Sequence, residues 1–179
     1  MNTLPQVVIT ADDLGLTESV TRGIFYAYDH ELISDFSVMA NGESFDQALA
    51  GIKERGIKKV GMHFSIVDGE VPLAKNKDIK ILLQGDRFPK SAQPVSLLLK
   101  SFFARKLIKK AVKIEFDAQY SRIKNEGLSV SHLDSHQHIH LFWGIADVLA
   151  EKCEEKGIPY IRLPVTESFG LKGIMIKYL

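Results

Sequence analysis

The chain has 179 residues, 45% of them hydrophobic and 25% charged, with a formal net charge of +1. That length suits a single domain with its own core, and near-neutral charge argues against bulk electrostatic capture of nucleic acid or an anionic membrane. One cysteine, Cys153, excludes an internal disulfide and a clustered-cysteine zinc site. The opening MNTLPQVVITADD has no secretory-signal pattern, and no apolar run approaches the roughly 18 residues needed to span a bilayer. The expectation is a soluble, cytoplasmic protein with neither a nucleic-acid nor a membrane partner.

The elements alternate along the chain. QVVITA, residues 6–11, is short, apolar and β-branched, which predicts a buried strand. LTESVTRGIFYAYDHEL follows with helical spacing at Val20, Ile24 and Tyr28 and a candidate N-cap at Thr17. DFSVMAN predicts a second strand, ESFDQALAGIKERG a helix ending at Gly56, and KKVGMHFSIV a third strand. Residues 68–93 hold Gly69, Pro72, Gly85 and Pro89 among charged residues and predict a long loop. PVSLLLKSFFARKLIKKAVKIEFDAQYSRIKNEG predicts a helix; its cluster of lysines, followed by acids and lacking an aromatic-basic motif, marks a solvated face. LSVSHLDSH, GIADVLAEKCEEKG and IPYIRLP then predict a strand, a helix and a fifth strand. This is the α/β pattern of a parallel sheet or barrel, in which ligands gather at the carboxyl ends of strands. Five strands do not close a parallel barrel, which needs about eight. The tail TESFGLKGIMIKYL begins something apolar where the chain stops, so an incomplete barrel is expected.

Three clusters carry candidate chemistry. Asp12 and Asp13 close the first strand ahead of Gly15. They could be an N-cap pair for the following helix; a bulge or turn would instead let both converge on one ligand, one binding a metal and the other acting as base. His63 sits in the third strand, where a lone histidine is ordinarily a satisfied core residue unless other ligands share its sheet edge. The third cluster is HLDSHQHIHL, which places His132, Asp134, His136, His138 and His140 two apart, on one side of an extended strand. Five polar groups on one side make a poor core, whereas imidazole suits zinc and its neighbours. Four histidines exceed the needs of one ion, so some would serve supporting or substrate roles. One carboxylate and two histidines would leave coordination positions open, as metal-dependent hydrolysis requires.

With ITADDLGLTESVTRGI, GMHFSIVDGEVPL and HLDSHQHIHLF read in order, the chain closely resembles the YdjC-like carbohydrate deacetylases, the family of ChbG-type chitooligosaccharide deacetylases. The resemblance covers essentially the whole chain, with SDFSVMANGESFDQAL and GIPYIRLP included. It implies one deacetylase domain over 1–179 on a (β/α) barrel-like fold related to polysaccharide deacetylases, with the C-terminal part of the family fold missing. It implies a hydrolase that removes an acetyl group from an N-acetylated amino sugar or chitooligosaccharide through attack by a metal-bound water. By the same resemblance Asp12 is the catalytic base, and Asp13, His63 and His136 bind one divalent ion, with magnesium or zinc favoured over manganese or cobalt. Asp134, His138 and His140 take substrate or supporting roles. A histidine-containing His-Pro segment, the family's candidate for protonating the leaving amine, has no counterpart after Pro164.

Two alternatives stand beside this reading. One is a catalytically inactive sugar- or metal-binding remnant, for which the missing part speaks, and an unfinished barrel would favour a homo-oligomer. The other is an amidohydrolase-type metal hydrolase, because HQH and HIH match the His-x-His ligand pair of those barrels.

Overall fold

The computed structural model describes residues 7–92, 102–142 and 144–163. Four parallel strands, β1 (Thr10–Leu14), β2 (Asp35–Val38), β3 (Lys59–Phe64) and β4 (Ser129–Ser135), lie in the order β1-β2-β3-β4. Helices α1 (Glu18–Asp29), α2 (Phe45–Glu54), α3 (Phe102–Asn125) and α4 (Ala146–Lys156) alternate with them. The predicted α/β alternation is therefore present. No helix among the described residues is long and apolar enough to cross a membrane.

Strand alternation divides the sheet into two chemically different faces. Phe36, Val38, Val60, Met62 and Phe64 are buried against the helices: Phe36 packs edge-on to Phe25 of α1, with ring centres 6.1 Å apart, and Phe64 tilts against Phe116 of α3 at 5.8 Å. The other face carries Asp35, Ser37, Gly61, His63, His132 and Asp134. Gly61 is required there by contact, since a Cβ would run into the His132 ring and lie 2.9 Å from Ser37 Cβ. Thr17 caps α1, its Oγ1 accepting from Val20 N at 3.3 Å.

The sequence-based expectations need adjustment in three places. The first strand, predicted over 6–11, is not buried over 7–11: pairing starts at Thr10 opposite Asp35, and Val7, Val8 and Ile9 are 77%, 58% and 53% exposed. The fifth strand contracts to a bridge between Leu133 and Ile161, with Leu133 N donating to Tyr160 O (3.0 Å) and Arg162 N to Leu133 O (2.8 Å). Pro159, which has no N–H, bounds this bridge. The 68–93 segment, as far as Ala92, is more than loop: a 3₁₀ helix, Lys77–Leu82, buries Ile79 and Leu82, and Phe88 is buried beyond it.

Three lysines of the basic face of α3 form ion pairs: Lys109 with Asp147 at 3.0 Å, Lys113 with Glu151 at 2.6 Å and Lys110 with Asp78 at 2.6 Å. The start of its predicted range, 94–101, and the 166–179 tail lie outside the described residues.

Candidate metal centre

The site forms where the strands end. Between Ala11 and Leu14 the β1–β2 register shifts, and Asp13 adopts a left-handed backbone with φ 67°. Gly15 follows at φ 95°, turning the chain toward α1. This bulge lets neighbouring aspartates that a regular strand would send to opposite faces approach one locus.

Asp13 Oδ1 sits between two imidazoles, 3.0 Å from His63 Nε2 and 2.8 Å from His136 Nδ1. Each ring has a second carboxylate on its remaining nitrogen. His63 Nδ1 lies 2.7 Å from Asp134 Oδ1, and His136 Nε2 lies 3.1 Å from Asp68 Oδ2. Such an arrangement fixes ring orientation and tautomer, as ligating histidines require. Asp134 also accepts from Ser37 Oγ at 3.0 Å, and the parallel register places it directly beside His63.

Asp12 is held by a residue from the far end of the described chain. Both of its carboxylate oxygens lie 2.6 Å from Arg162 Nη2, and the same nitrogen lies 3.0 Å from Asp134 Oδ2. Arg162 thus spans from the strand beyond β4 to β1 at the other edge of the sheet, which must curl to allow it.

Charge is strongly organised here. Burial disfavours the carboxylates of Asp13 and Asp134, yet hydrogen bonds and charge from the surrounding histidines, with Arg162 added at Asp134, hold both well below the usual carboxylate range. For His63 burial disfavours the proton, but Asp13 and Asp134 overcome it and push the imidazole up to about 9. His136 shifts upward against its burial because of Asp13 and Asp68. His140 goes the other way, to about 4, through burial and the neighbouring His138.

The ligand atoms of Asp13, His63 and His136 all lie within 4.8 Å of one another, as do those of Asp12, His63 and Asp134 and those of Asp68, Glu70 and His136. The first set fits a divalent ion best, because a backing carboxylate stands behind each imidazole. In the second, Arg162 already neutralises both carboxylates and His63 Nδ1 is engaged by Asp134. One carboxylate and two nitrogens leave coordination positions open.

The regular alternation of HLDSHQHIHL does not survive folding. β4 ends at Ser135, and His136–Leu141 is a 3₁₀ segment in which Gln137 (φ 51°) and His138 (φ 54°) are left-handed. Only His136 of the last three histidines joins a ligand set. His138 is exposed, while His140 is buried with Nδ1 bonded to Ser135 Oγ, so an HQH or HIH ligand pair does not form. His132 stays on the strand, stacked 5.3 Å from Tyr160. Sequence reasoning missed Arg162, Ser37 and Asp68. An arginine inside the apolar IRLP and a serine alternating with Asp35 were the available signals; Asp68 had none beyond its place after a strand.

The model of the family described as YdjC-like protein matches residues 6–177. The chain belongs to the YdjC-like family. Curated relatives include a carbohydrate deacetylase of Oceanobacillus iheyensis, 32% identical over 160 residues that make up 86% of this chain and 63% of the relative. A chitooligosaccharide deacetylase of Proteus mirabilis is 28% identical over 155 residues, 86% of this chain and 57% of the relative. A carbohydrate deacetylase of Xenopus laevis is 29% identical, with 89% of this chain and 51% of the relative covered. The chain therefore spans between about half and two thirds of the length of these YdjC-like relatives. A solved structure from Enterococcus faecalis, provisionally described as a cellobiose-phosphate cleavage protein, superposes with a TM-score of 0.74 at 20% identity over 96% of this chain and 62% of its own. That likeness is one of fold.

Proposed function

We propose that this YdjC-like chain carries the metal centre of an N-deacetylase that hydrolyses the acetamide of an acetylated amino sugar. The observation that carries this reading is the Asp13–His63–His136 cluster, with a separate carboxylate, Asp12, held beside it by Arg162. The names of its relatives supply the substrate class. A divalent ion bound there would provide a Lewis acid for the acetyl carbonyl and lower the pKa of water toward about 7.

The chain's own residues do the rest. Asp13, His63 and His136 would hold the ion, and Asp134 and Asp68 fix the orientation of both imidazoles. Asp12 accepts the proton of the attacking water as the C–O bond forms, and the Arg162 contact orients its carboxylate for that transfer. Collapse of the tetrahedral adduct breaks the C–N bond as the proton held by Asp12 passes to the departing nitrogen, releasing acetate and the neutral amine. The open cleft beside Asp68 admits the saccharide.

The test is divalent metal content of the purified protein beside His63→Ala and His136→Ala, followed by acetate release from acetylated chitooligosaccharides. About one ion per chain in the parent, lost in both variants, together with metal-dependent acetate release, is the expected result. A parent that binds no ion while the variants fold equally well defeats the reading.

A further inference from the structure

Helix α3 carries a buried acid that lies outside the centre described above. Glu115 is fully buried, and the donors it meets are uncharged. Oε1 accepts from Leu73 N at 3.0 Å and from Gln119 Nε2 at 2.9 Å, and Oε2 accepts from Ala74 N at 3.0 Å. Burial pushes its carboxyl upward against those hydrogen bonds. A buried carboxylate facing only neutral donors is a costly way to join two elements. Ile66 and Val67 of the joined segment already share a buried core with Val112 and Phe116 of α3, so packing holds the segment without a charge.

Gln119, one turn on, lies on the same helix face. Its Nε2 donates to Ser65 O at 2.6 Å and its Oε1 accepts from Ser65 N at 3.2 Å, so the side chain pairs with Ser65 as a neighbouring strand would. Glu115 serves Leu73 and Ala74 in the same way; they follow Pro72 outside any strand and have no ladder partner for their N–H groups. One helix face thus grips the backbone at both ends of the 65–74 segment.

Asp68 lies between these anchors. Its backbone is left-handed (φ 68°), as is that of Gly69 (φ 81°), and a non-glycine residue keeps that conformation only where its surroundings fix it. Among the described residues His136 Nε2, at 3.1 Å, is the one hydrogen-bond partner of the Asp68 carboxylate, so the backbone has to aim it. We propose that Glu115, with Gln119 beside it, is a positioning residue of the metal centre: by pinning the 65–74 segment to α3 it keeps Asp68 on Nε2 of His136 and Nδ1 of His136 turned to Asp13. This rests on the reading of His136 as a metal ligand and extends it to a residue that touches neither ion nor substrate.

The test is a double-mutant cycle between Glu115→Gln and Asp68→Ala, read as zinc affinity by competition titration, as the denaturant unfolding midpoint, and as imidazole nitrogen shifts of the metal-free protein by NMR. The amide keeps the size of Glu115 but turns an NH₂ onto a backbone N–H. Zinc should bind about tenfold more weakly to Glu115→Gln and to Asp68→Ala, the scale of a lost orienting partner. In the Asp68→Ala background Glu115→Gln should change affinity by less than about twofold. The His136 shifts of Glu115→Gln should move toward those of Asp68→Ala while the His63 shifts hold. A merely structural role would lower the midpoint in both backgrounds and leave affinity unchanged, or weaken it equally in both; either result overturns the proposal, as does an Asp68→Ala protein that binds zinc like the parent. Gln119→Met carries the same cycle, with the same expected and overturning results, if Glu115→Gln does not fold. A parent that binds no zinc defeats the metal-centre reading and leaves the His136 shifts to decide: moved as above in Glu115→Gln they support the positioning role, and unchanged they overturn it as well.

Discussion

Asp134→Asn isolates the tautomer of His63. Asp134 is 1% exposed, takes hydrogen bonds from His63 Nδ1 at 2.7 Å and Ser37 Oγ at 3.0 Å, and forms an ion pair with Arg162 Nη2 at 3.0 Å. A carboxylate at Nδ1 keeps a proton there and frees Nε2, the nitrogen facing Asp13, for an ion. In the amide variant the remaining oxygen can stay with Ser37 and Arg162, which directs the NH₂ at His63. Nδ1 then becomes an acceptor and the proton moves to Nε2, where it blocks coordination. Loss of an orienting partner of this kind lowers metal affinity by about 10- to 100-fold. The fold should lose less than a full buried charge-pair break, about 1–3 kcal/mol, because the Ser37 hydrogen bond and the Arg162 contact are retained. Zinc or cobalt titration by calorimetry, with circular dichroism to verify folding, reads the effect directly. A folded Asp134→Asn protein that binds the ion as tightly as the parent would refute the backing-carboxylate argument.

Three further outcomes follow from named contacts. In metal-free protein His63 keeps its proton up to about pH 9 against an ordinary 6.5, so its stabilising contribution is complete below pH 6.5 and gone above 9. Thermal melts with chelator should therefore fall in Tm between those limits, and His63→Gln should flatten that slope; a flat parent curve speaks against the Asp13–His63–Asp134 pairing. Arg162→Gln releases Asp12 and should lower kcat/KM for acetate release by about 100-fold, the scale of a misplaced reacting group, while metal affinity changes less than in Asp134→Asn. Gly61→Ala drives a methyl group into His132 and should cost about 1–3 kcal/mol in denaturant unfolding; an unchanged midpoint would show that the ring moves freely.

Local pattern was enough to read the alternation of strands and helices, the Thr17 cap and the chemistry-bearing residues. Apolar period and capping chemistry act within a few residues, and aspartate paired with histidine is an unusual composition for a strand end. Asp12, Asp13, His63, Asp134 and His136 could be named in that way. What each touches was decided elsewhere. The bulge at Asp13 depends on pairing with β2, and the break after Ser135 replaces an alternating strand with a left-handed turn that separates His138 and His140 from His136. Arg162 reaches Asp12 only because a curled parallel sheet brings residues 150 apart in sequence into contact. Hydrophobic period is a short-range property of the chain, whereas convergence of side chains from β1, β3, β4 and the segment beyond it depends on register and curvature, which are set only when the whole sheet assembles.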